Sequence, residues 1–134
     1  MIHLIRVLTF FDENAVPFET DLVFTKLREA FPEAQLENED PYVARAKYYE
    51  EQFEKLGQKD NIVIQSAWRD VDRFSPAYSF ILPQTGTQPL YVKVDRYCAS
   101  FSCQNKILED LRKRIFDFLE SLHSGKVEEI LEEG

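Results

Sequence analysis

Glycine is scarce in this chain, with only Gly57, Gly86, Gly125 and Gly134 among 134 residues. Without clustered glycines, neither a phosphate-cradling loop nor a dinucleotide fingerprint can be written. Histidine is scarcer still, at His3 and His123 alone. There is no His-Glu-x-x-His, no Gly-x-Ser-x-Gly elbow and no cysteine–histidine grouping with zinc spacing. These gaps exclude several large enzyme classes, and no metal or cofactor is expected. Long apolar runs are missing as well, and residues 1–15 lack a basic region followed by an apolar core, so neither a membrane span nor a cleaved secretory signal is expected. Two cysteines, Cys98 and Cys103, fit a reducing, cytoplasmic setting better than a disulfide scaffold.

What is present is a globular composition, 44% hydrophobic and 30% charged, with a net charge of −8. The chain is the size of one domain, 1–134, with no repeat, linker or low-complexity stretch. The acidity is uneven. Residues 11–60 carry thirteen acids against six bases, whereas 61–102 carry three against four. Such a field disfavours direct nucleic-acid or anionic-lipid binding and favours a basic protein partner.

The strongest periodic signal is a helix read from Gln104 to Leu122. Ile107, Leu108, Leu111, Ile115, Phe118, Leu119 and Leu122 fall on one face, which a sheet must cover. Phe116 lies just off that arc and either completes the core or extends an outer apolar surface. A helix over Asp21 to Phe31 is expected with Thr20 as N-cap and Pro32 as its stop, and another from Asp40-Pro41 to Gly57. Tyr48 lies off the apolar stripe of that second helix.

Four strands are expected: His3 to Phe10, Asn61 to Trp68, Ala77 to Leu82 and Leu90 to Cys98. The first has apolar residues on both faces and belongs inside the sheet, reached by a long, parallel-capable crossover. The order β-α-α-β-β-β-α then implies an α+β, two-layer sandwich: a four-stranded, mostly antiparallel sheet with helices packed on one face. Residues 125–134 are a tail, either a further helical turn or two, or frayed.

Three groups of residues carry functional interest. Glu33, Glu37, Glu39 and Asp40 form an acidic run, an ordinary solvated loop or a steering patch for a basic partner. Tyr91, Lys93, Asp95 and Tyr97 share one face of the last strand and, with Tyr48 and Phe116, supply anchors of the kind enriched at recognition sites. Cys98 and Cys103 flank the expected start of the long helix, where exposed amides can activate a thiol, although cysteine is more often a small core residue. The leading expectation is a non-enzymatic acidic protein-binding module, of the immunity-protein or inhibitor kind, that occludes a basic partner such as a toxin or nucleic-acid enzyme. The alternative is a small-molecule-binding or thiol-dependent enzyme domain with its site near Cys98/Cys103. Self-association through an open sheet face or edge is the third.

Overall fold

A computed structural model of the chain describes residues 1–9, 16–122 and 125–133. Phe10 at the end of the first expected strand, most of the loop that follows it, and His123 lie outside the described residues. The elements run β1 (Ile2–Leu8), α1 (Thr20–Ala30), β2 (Gln35–Asn38), α2 (Pro41–Lys55), α3 (Ile62–Phe74), β3 (Tyr78–Leu82), β4 (Leu90–Val94), β5 (Cys98–Cys103), α4 (Glu109–Ser121) and β6 (Val127–Glu132). The fold is α+β, with an antiparallel sheet of six strands ordered β2-β3-β4-β5-β1-β6.

The strand count corrects the expected four, and each difference has a local cause. Asn61 to Trp68 is the start of α3 and not a strand: the Asn61 side chain accepts from the Val63 amide at 2.8 Å, capping a helix whose buried residues are Ile64 and Ala67. The triplet Ile62-Val63-Ile64 carries β propensity, but cap and tertiary packing override it. The stretch after Val94 is a turn. The Asp95 carboxylate accepts from the Tyr97 and Cys98 amides, both at 2.8 Å, and the Asp95 amide donates to the Cys98 carbonyl. That turn folds Cys98–Cys103 back as β5. Gln35–Asn38, inside the acidic run, pairs with β3 as a short edge strand with a register shift between Leu36 and Asn38. The tail residues Val127–Glu132 form a sixth strand along β1, not a further helical turn.

β1 is interior as expected, between β5 and β6, but both neighbours are antiparallel, so the parallel crossover is replaced. α4 begins at Glu109, later than Gln104, because the preceding amides have other acceptors. Asn105 N–H donates to Cys103 Sγ, Ile107 N–H to His3 Nδ1 and Leu108 N–H to Gln84 Oε1. Leu108 is consequently exposed, and Cys98–Cys103 is strand rather than the approach to a helix.

Alternation fixes which sheet face is buried. Ile5, Val7, Phe80, Leu82, Leu90, Val92, Val94, Ala99 and Phe101 are at or near zero exposure and pack with Leu27 of α1 and Leu111, Ile115, Phe118 and Leu119 of α4. Phe31, Phe101 and Phe118 close this core as a triangle of rings with centroids 5.5 to 6.0 Å apart. The α2–α3 pair adds nothing to that core cluster. It meets the sheet at the end of β4, where Tyr42 Oη donates to Asp95 at 2.8 Å and the Lys93 ammonium lies 4.4 Å from the Tyr42 ring centre.

Candidate functional site

The acidic run becomes the outer edge of the sheet. Glu33, however, is spent inside the molecule: Arg114 of α4 pairs with it at 2.6 Å, holding its carboxyl below the usual range. Asp40 is structural too, capping α2 through the Val43 amide at 3.1 Å and accepting from Ser75 Oγ at 3.0 Å. Glu37, on β2, and Glu39, just after it, have no ion-pair partner among the described residues. The fold adds a carboxylate that sequence spacing could not, Asp21 in the first turn of α1, which accepts from Tyr78 Oη of β3. That hydrogen bond, then burial, then the charges of Asp21, Glu39 and Asp40 push the Tyr78 phenol up to about 12. One phenol therefore feels three carboxylates, one from the first turn of α1 and two from the β2–α2 connection, none of them ion-paired among the described residues.

The second surface is the sheet face turned away from α1 and α4. Register aligns Gln35, Ile81, Tyr91, Ser102, Leu4 and Ile130 in one row across all six strands. A neighbouring row runs Ser79, Lys93, Ser100, Arg6 and Glu128, in which Arg6 Nε donates to Glu128 at 3.1 Å. Tyr91 is 48% exposed. Asp95 and Tyr97 do not join this face. Asp95 is 2% exposed and fully occupied by three donors, while the Tyr97 ring packs edge-on against Phe74 at 6.1 Å. Of the other anchors, Tyr48 stands exposed on α2, and Phe116 is half-buried against the core with the Arg112 guanidinium 4.7 Å over its ring.

The thiols occupy opposite faces of β5, five residues and therefore roughly 17 Å apart along the strand, and both are free. Neither lies in a helix first turn. Burial, reinforced by Asp95, pushes the Cys98 thiol up to about 11. Cys103 is buried between Gln84 Nε2 at 3.3 Å and the Gln88 carbonyl at 3.5 Å.

One polar cluster was invisible to sequence reasoning. His3 is 2% exposed; its Nε2 meets Glu129 of β6 at 2.8 Å and its Nδ1 accepts the Ile107 amide at 2.9 Å. Accepting at Nδ1 fixes the neutral ring as the Nε2–H tautomer. Arg112 holds the same carboxylate through two bonds of 2.6 Å, and with His3 depresses Glu129 to about 2. These side chains, with Lys106, Glu109 and Leu131, line a cleft of about 350 Å³. With both nitrogens engaged, the imidazole has no lone pair left for general-base work. No local pattern signals this cluster, since His3 lies over a hundred residues from both of its partners.

No family model, curated protein or solved structure matches this chain. Among the described residues, no helix is long and apolar enough to cross a membrane, and no group of three or more metal-ligating side chains converges.

Proposed function

We propose that this protein is a non-enzymatic acidic binding module that occludes a protein partner with a basic surface, in the manner of an immunity protein or an inhibitor of a toxin or nucleic-acid enzyme. The observation that carries this reading is that Asp21, Glu37 and Glu39, flanking the β2 edge from its two faces, have no ion-pair partner among the described residues. On a chain of net charge −8, unpaired carboxylates gathered at one margin raise encounter rates with a cationic surface and select against acidic ones. The two-layer arrangement belongs to the same reading, because it leaves the Tyr91 face available as an anchor beside that margin. A cytoplasmic setting accords with two free cysteines.

The test is affinity capture at low salt, followed by titration of the purified partner. Binding should fall at least about tenfold for Glu37→Lys combined with Glu39→Lys, and should weaken steeply with added salt. If no captured protein is lost on reversing those charges, the reading fails. Asp40 is left intact in this design, since its reversal removes a helix cap.

A second reading, a small-molecule site, rests on the cleft at His3. A thermal-shift screen answers it: a ligand that stabilises the wild type but not Lys106→Ala supports the site, and no hit removes it.

A further inference from the structure

The α2–α3 hairpin buries Tyr42, Ala46, Ile64 and Ala67 in a small interior of its own, apart from the main core cluster. Among its exposed charges stand four large apolar side chains. Ile62 is 77% exposed, Leu56 71%, Tyr48 56% and Val63 39%. Between the helices runs a shallow groove of about 370 Å³ lined by Tyr49, Ile62, Val63, Ser66 and Ala67, with the Arg45–Asp70 ion pair also on its wall. Small side chains at Ser66 and Ala67 permit close approach of another helix.

Charge and area commit this surface to a second copy of the chain. Residues 41–75 hold six acids (Glu50, Glu51, Glu54, Asp60, Asp70, Asp72) and six bases (Arg45, Lys47, Lys55, Lys59, Arg69, Arg73), net zero, so the whole −8 lies elsewhere. Two identical acidic molecules repel one another over most of their surfaces, and an element of zero net charge is where that repulsion is least. A groove carrying one acid and one base is also self-complementary under two-fold symmetry. At these exposures the four side chains present on the order of 400–500 Å² of surface, within the range of the largest patch on a typical monomer. Ile62 and Val63 line the groove itself, and complete burial of all four side chains on both copies would remove about 1,000 Å², the lower bound of a specific interface.

We propose that the protein self-associates hairpin against hairpin about a two-fold axis, with Ile62 and Val63 of each copy entering the α2–α3 groove of the other. The contact uses none of the carboxylates at the β2 edge, so it stands or falls apart from the partner-binding role.

Sedimentation velocity at roughly 5 µM and roughly 200 µM brackets the micromolar affinity expected of an interface this small. The wild type should move from 15.8 kDa toward twice that mass. Ile62→Glu and Val63→Glu, both at exposed positions, should keep the wild-type circular dichroism and melting temperature while weakening association at least about tenfold. Leu22→Glu, on the exposed side of α1, should leave association unchanged. A wild type that stays monomeric at the higher concentration overturns the proposal. So does a dimer that survives Ile62→Glu, including one that Tyr91→Glu dissolves, which would place the contact on the sheet face.

Discussion

His3 shows how much of this structure depends on single polar side chains. Its imidazole joins three segments: β1, which carries it; β6, through Glu129; and the approach to α4, through the Ile107 amide. Replacing it with leucine leaves a buried N–H without an acceptor, and chemical denaturation should register a loss of about 1–3 kcal/mol. Glu129 gives the matching pH dependence. Held down to about 2 in the fold, below the ordinary carboxyl value of 4.5, it contributes stabilisation that is fully present above about 4.5 and is lost as pH falls toward 2. Glu129→Gln should therefore cost about 1–2 kcal/mol at pH 7, discounted for partial exposure, and the gap from wild type should close progressively below pH 4.5 in urea titrations. The thiols make a simpler expectation. With Cys98 pushed up to about 11 and Cys103 buried, both should react with a disulfide reagent near pH 8 only on unfolding. Fast labelling of native protein would contradict this and revive the thiol-dependent reading.

At the scale of elements, α3 is where sequence and structure part most sharply, and two substitutions distinguish the cases. In a strand, Ile62 and Ile64 share a face and both should matter. In the helix, Ile64 is 8% exposed and Ile62 is 77% exposed. Ile64→Ala should cost about 2–4 kcal/mol and Ile62→Ala less than about 0.5 kcal/mol, measured by urea unfolding. What was legible here followed from local physics. Pro41 after Asp40 marked α2, Pro32 bounded α1, and the apolar stripe of α4 required a sheet. What was not legible depended on distant partners. β2 and β6 are mostly exposed and have no buried residue, so neither carries a buried-strand pattern, and each is a strand only because a neighbour offers an edge. The start of α4 was misplaced for the same reason, since the competing acceptors His3 and Gln84 come from elsewhere in the chain. The candidate site divides likewise. Glu37 and Glu39 could be read directly, but which members of the run were spent on Arg114 or on a helix cap, and that Asp21 would join them, required the fold.

Over the whole molecule, charge is partitioned by role. The α2–α3 hairpin is neutral, the buried sheet face is uncharged apart from its His3–Glu129 rim among the described residues, and the β2 edge carries Glu37 and Glu39 without ion-pair partners among them. An acidic, bulged edge also blunts strand-to-strand aggregation, and that alone would justify its composition. The two roles separate experimentally. Neutralising Glu37 and Glu39 to glutamine should leave the unfolding midpoint within about 0.5 kcal/mol of wild type while weakening a basic partner. If the acids serve only as edge protection, the same variant should instead aggregate faster, as followed by light scattering.

The pairing of β1 carries a further consequence, for the order in which the chain can fold. Its partners in register are Cys103 and Leu131 for His3, and Ala99 and Val127 for Val7. A chain emerging from its N-terminus must therefore hold β1, with Ile5 and Val7 unburied, until residues from the last third arrive on both sides. Loop closure over that distance precedes any reward from the ladder, so folding should be slow for the size of the domain and late in synthesis. The hairpin of α2 and α3, closed by a short turn and burying Ala46, Ile64 and Ala67, can form long before that, in a molecule whose sheet is completed last.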